Sequence, residues 1–287
     1  MVRIAALVAL LAAGCSQSVE TIDPEAAAPD AGAGAPDRDA APAQPDEETC
    51  EPPEGASNGK LVRAVYLLPA DREADAQHLA NIRHALGDAQ LWLRARMPEG
   101  TSFRVHDTVE VVETGHDAAY YRVPAEGDGV THAYWFNALD DAFALTGADF
   151  DDPDSVWLFF LDAPADCGQA TGGIDGVALL SGRHLAWLSG RAPSPACDDD
   201  AEITRCSAVG AMLLALMDAL GVPDPAGCTD DDDATPCPTT LLTYGGHRGY
   251  PDTELAKDQL EFLSTHDFVN AVGLPDCTLA CDHPIVP

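Results

Sequence analysis

The sequence is short of positive charge. Only 15 of its 287 residues are Lys or Arg, against 48 Asp and Glu, for a formal net charge of −33. Such a surface repels phosphate backbones and anionic headgroups, which excludes nucleic acid as a partner. Solubility or a cationic partner remains as the use of the acidity. Aromatic residues are few, at 6%. Local catalytic signatures are missing as well: the chain has no GxGxxG loop, no phosphate loop, no CxxC pair and no HxxxH pair. Its nine histidines are scattered, and His78 and His84, six apart, fall on different faces of a helix. Beyond the N-terminus no run is long and apolar enough to span a bilayer.

What is present begins with a targeting signal. MVR is a short positive region, and IAALVALLAA is an apolar stretch too short to be a membrane span. It ends in Ala12-Ala13-Gly14-Cys15, which resembles a bacterial lipobox with Ala12 where Leu is preferred. The resemblance implies cleavage before Cys15, lipid on that cysteine, and a place in the bacterial envelope at the outer membrane or cell surface. An ordinary secretory signal with a stray cysteine is the alternative. Residues 16–49, rich in Ala, Pro, Asp, Glu and Gly and without aromatics, cannot bury enough apolar surface to order themselves. They read as a tether of up to about 100 Å at ~3.1 Å per residue. The domain plan is therefore signal 1–14, lipidated tether 15–49 and a globular head 50–287.

Export makes disulfides the expected use of the eight remaining cysteines. Cys197 with Cys206 and Cys228 with Cys237 are natural local pairs, each closing a small acidic loop. Cys50, Cys167, Cys277 and Cys281 would pair among themselves in an order that spacing does not fix.

In the head, LVRAVYLLP (Leu61 to Pro69) predicts a strand. A long helix follows, in which Leu79, Ile82, Leu86, Ala89, Leu93 and Met97 make one apolar stripe. FRVHDTVEVVET (Phe103 to Thr114) has strand-like residues, and THAYWFNALDDAFALTG predicts a helix stopped by Gly147. SVWLFFLDA predicts a strand buried on both faces. GVALLSGRHLAWLSG predicts another strand or a hairpin, Cys206 to Leu220 a helix, and ELAKDQLEFLSTH a last helix. Strands alternating with helices make an α/β (α+β) domain.

The helix 206–220 has a single charge, Asp218, and ends in Gly221-Val222-Pro223-Asp224-Pro225. A helix apolar all round lies inside a protein. Gly221 suits the left-handed residue that closes a helix, and Pro223 prevents its resumption. The segment LALMDALGVPDP, with Ala219-Leu220-Gly221, Pro223 and Pro225 in place, resembles the HExxHxxGxxH segment of metzincin-type zinc metallopeptidases. LLTYG downstream is similar to their methionine-bearing turn, with Leu242 at the methionine position and Tyr244 at the tyrosine position. The resemblance spans about residues 60–273 and implies a mixed sheet with long helices, an active-site-type helix and a smaller C-terminal subdomain.

The chemistry of that family is not carried over. Leu214 stands at the first ligand position, Ala215 at the catalytic glutamate, Asp218 at the second ligand and Asp224 at the third. Catalytic zinc needs three protein ligands, an open water position and a carboxylate to take the water's proton. The expectation is a zinc site lost, no cofactor, and an inactive domain that binds a peptide or protein. An active hydrolase of another chemistry is one alternative. The other is a structural envelope protein with calcium on its acidic runs, Phe150 to Ser155, Cys197 to Glu202 or Thr229 to Asp233.

Overall fold

Leu61–Leu68 forms strand β1, and its alternate side chains feed two different cores. The structure, a computed structural model, describes residues 60–124, 130–167, 171–193, 197, 203–226, 238, 242–243 and 246–269. The signal segment, Cys15 and the tether lie outside them. After β1 come α1 (Ala76–Arg96), β2 (Glu110–Glu113), a 3-10 turn (Tyr120–Arg122), α2 (Val130–Thr146), β3 (Ser155–Leu161), β4 (Gly172–Ile174) and β5 (Val177–Leu180). Then follow α3 (Gly182–Leu188), α4 (Arg205–Ala219), a second 3-10 turn (Gly246–Gly249) and α5 (Lys257–Ser264). The five strands make one mixed sheet in the order β2-β1-β3-β5-β4. All neighbours are parallel except β4, which runs antiparallel to β5 at the sheet's edge. The fold is thus the mixed α/β class predicted. Among the described residues no helix is long and apolar enough to cross a membrane.

The period of two decides which core each strand residue joins. Val62, Ala64, Tyr66 and Leu68 of β1, with Val156, Leu158 and Phe160 of β3, face α1, α3 and α4. Val65 and Leu67, with Trp157, Phe159 and Leu161, face α2. Every residue of β3 is therefore buried, as its apolar run predicted. The stripe of α1 from Ile82 to Met97 lies in the first core, with Leu79 partly buried beside it. Leu242, Tyr250, Leu255 and Leu263 of the C-terminal part join the same core. Gly147, at φ 73°, ends α2 where expected.

Three local expectations change. Phe103 to Thr114 pairs as a strand only over Glu110–Glu113, with a lone bridge from Val105 to Val62. The turn at His106 to Thr108, held by the imidazole and the Thr108 amide at 3.4 Å, interrupts the run. In GVALLSGRHLAWLSG only Val177–Leu180 is strand, and Gly182–Leu188 is α3. Leu185 and Leu188, three apart, bury themselves on one side of that helix. The disulfide also differs: Cys197 bonds Cys167, with Cα atoms 5.9 Å apart, rather than Cys206. Cys206, in the first turn of α4 and inside the core, is disulfide-bonded as well. Proximity in sequence was the wrong guide, because the partner of Cys197 stands thirty residues upstream. Cys228 and Cys237 lie outside the described residues.

Candidate functional site

Helix α4 starts in a reciprocal cap. The Thr204 hydroxyl accepts from the Ser207 amide at 3.1 Å, and the Ser207 hydroxyl accepts from the Thr204 amide at 2.7 Å. It ends in a Schellman turn: the Val222 amide donates to Met217 and the Gly221 amide to Asp218, both at 3.0 Å, with Gly221 at φ 71°. The glycine read from sequence as a helix stop is therefore required by the backbone.

Small residues set where the helix packs. Gly173 of β4 lies against α4 so closely that a Cβ there would overlap the Ala215 carbonyl and come within 2.8 Å of the Ala219 nitrogen. The Gly176 amide donates to the Ala219 carbonyl at 2.8 Å. On another side, a Cβ on Gly210 would lie 2.7 Å from the Tyr250 Cβ. Edge strand β4 and the turn at Gly246–Gly249 thus clamp one helix from two sides.

What remains uncovered is narrow. Ala211 and Leu214 are half-buried and Asp218 and Gly221 are exposed, while the residues between them are buried. Spacings of three and four put these positions on one face. The first two ligand positions of the resembled motif, Leu214 and Asp218, fall on that face. Leu214 belongs to neither hydrophobic core. Ala215, at the glutamate position, is buried. Asp224 is exposed on the turn beyond Gly221, and that turn is held by α5 through Gln259 to the Pro223 carbonyl at 3.2 Å. Leu242 is buried in the core that holds α4. Tyr244 lies outside the described residues.

This donor set does not fit zinc. Hydrocarbon occupies the first ligand position and a methyl group the base, and Asp218 and Asp224 offer two ligands at most. Among the described residues no group of three His, Cys, Asp or Glu side chains could hold a metal ion. In the acidic run at Phe150 to Ser155, one Asp152 oxygen accepts the Asp154 and Ser155 amides at 2.9 and 3.2 Å, and the other accepts the Trp157 indole at 2.9 Å. The other two acidic runs fall almost wholly outside the described residues.

Two polar clusters that sequence spacing did not reveal sit at the carboxyl ends of the strands. In one, the Tyr66 hydroxyl donates to Asp162, just past β3, and lies 3.3 Å from His78 Nδ1 of α1. Burial pushes the Tyr66 phenol up, and the Asp162 carboxylate adds to it. Burial alone would raise the Asp162 carboxyl, but the bonds from His78 and Tyr66 outweigh it and hold it below the usual range. In the other, His116 Nδ1 lies 3.0 Å from Asp141, which also accepts from Tyr121 at 2.7 Å. These partners stand 12 to 96 residues apart, so no local motif announces them. His184, near Ser181 at the end of β5, is pushed down to about 3 by burial and by the charges of His247 and Arg183.

No family model matches the chain. No curated protein matches it either. Among solved structures, wild-type OgpA from Akkermansia muciniphila is similar at 14% identity and a TM-score of 0.48, over 79% of this chain and 66% of that one. A second crystal form of OgpA gives 14% and 0.42, over 78% and 65%. The chain thus spans just under two thirds of the length of the OgpA structures it matches.

Proposed function

We propose that the protein is an envelope-anchored lipoprotein whose metallopeptidase-like head binds a peptide or protein segment without cleaving it. The observation that carries this reading is the uncovered face of α4. A core helix that is closed everywhere else stays open where the resembled motif would present its ligands, and there it carries Leu214 and Asp218. Beside it runs β4, last in the sheet order, whose outer edge no described strand pairs. An extended segment could add to that edge through main-chain bonds and set apolar side chains on Leu214. The missing base and missing first ligand support binding over hydrolysis.

The test is elemental analysis of the purified head with a peptidase assay alongside. The expected result is substoichiometric zinc and no turnover. Stoichiometric zinc that disappears in Asp218→Ala, or peptidase activity abolished by a chelator, sinks the proposal. A chelator-insensitive activity would favour a hydrolase of other chemistry.

A further inference from the structure

We infer that the outer face of α2, across the sheet from α4, is a docking surface for a cationic amphipathic segment of another protein. Six large hydrophobic side chains are exposed among the described residues: Val111, Tyr120, Val123, Phe136, Leu145 and Phe150. Five belong to α2 or to the chain flanking it. The helices on the other face of the sheet expose none. Single exposed hydrophobics, such as Val111 on the opposite face of β2, are ordinary, but five gathered around one helix are not.

Phe136, Asp140 and Ala144 follow at intervals of four and are all exposed, so they form one ridge along α2. Tyr120 and Val123 border it, because the Asn137 amide donates to their carbonyls at 3.2 and 2.9 Å. The Tyr120 ring stacks on His116 with centroids 3.8 Å apart, and Asp141 holds that imidazole at 3.0 Å. On the other border Phe150 meets Phe143 edge to face at 5.1 Å. The apolar borders are thus fixed by their own contacts before any partner arrives, which lowers the ordering cost of binding.

Charge names the occupant. Helix α2 contains no Lys or Arg, and Asp140 stands in the middle of the ridge with no ion pair to a described residue. The complement is a segment in which apolar side chains flank Lys or Arg. A second copy of this chain would bring the same acidic ridge and a charge of −33. The chain's own residues 16–49 carry nine acidic residues and one basic, so they do not supply the complement.

The test uses the full chain and a synthetic helix of leucine and lysine, with a leucine–glutamate helix of the same pattern as control. Anisotropy titrations at low and high salt give the affinity. Asp140→Lys and Phe136→Ser are each expected to weaken binding of the lysine helix about tenfold. Leu214→Arg, on the other face, is expected to leave it unchanged, which separates this surface from the peptide-binding reading of α4. Unaltered melting of the exposed-site variants confirms that the loss is local. If both variants bind like the parent, the attraction is general to an acidic surface and the proposal fails. Equal binding of the glutamate helix overturns it too. A sedimenting dimer that Phe136→Ser dissolves would make the occupant a second copy instead.

Discussion

Helices α2 and α4 are both predominantly apolar, yet the protein buries them differently. α4 is covered by β4, by α1 and α3, and by the C-terminal turn, and it keeps open only the line through Ala211, Leu214 and Asp218. Among the described residues α2 is the one α-helix on its face of the sheet, joined there by the 3-10 turn at Tyr120–Arg122, and its outer ridge stays bare along Phe136, Asp140 and Ala144. Apolar content therefore does not tell how many sides of a helix are covered. The number of neighbours does, and small residues on the helix and its neighbours decide how close they come.

The largest expected effect breaks the tight side of that comparison. Gly173→Ala puts a Cβ into the Ala215 carbonyl, and neither backbone can yield without moving β4 off α4. The expected cost is about 3 kcal/mol or more in denaturant unfolding. A loss under about 1 kcal/mol would mean that β4 and α4 are not in contact as described. Leu216→Ala comes next. That side chain is 0% exposed in the α1/α4 core, and its loss should cost about 3 kcal/mol. Asp140→Ala on the α2 ridge should stay within about 0.5 kcal/mol in the same measurement. Equal losses would erase the distinction between the two helices.

A third effect is set by pH. His184 has its folded pKa near 3 and its ordinary value at 6.5, so the unfolded chain binds the proton more readily. The stabilisation is fully present above about pH 6.5 and is lost as pH falls from there toward 3, with a slope of at most about 1.4 kcal/mol per pH unit. His184→Gln is expected to flatten this limb of the stability profile. An unchanged limb would show that His184 is already protonated in the folded protein or is not buried.

Sequence periodicity recovered what depends on near neighbours along the chain. β1, β3, the stripe of α1, the stop at Gly147 and the stop at Gly221 are each decided within a few residues, and each is where the pattern placed it. It failed where partners are distant. Cys197 found Cys167 thirty residues upstream instead of the nearer Cys206. Tyr66, His78 and Asp162 meet because β1 and β3 are adjacent in the sheet, which no spacing rule reports. α3 was hidden because a short buried helix and a buried strand share an apolar run and differ only in which faces are covered. In the candidate site the motif's punctuation was legible, whereas the open face of α4 required knowledge of everything packed around it.

The smallest expected effect tests that open face directly. Leu214 and Leu216 are two residues apart on one helix, have the same side chain and would count equally in any composition. Leu216 lies in the core, whereas Leu214 is half-buried and outside both clusters. Truncating a half-exposed leucine leaves little cavity, because water already reaches the site, so Leu214→Ala should cost less than about 1 kcal/mol where Leu216→Ala costs about 3. The two substitutions are compared by denaturant midpoint at constant slope, which keeps the unfolded state out of the difference. A Leu214→Ala loss as large as that of Leu216 would mean that the face is closed and that α4 is core all round. A small loss, together with weaker capture of an extended peptide, places Leu214 on a surface whose role is contact rather than packing.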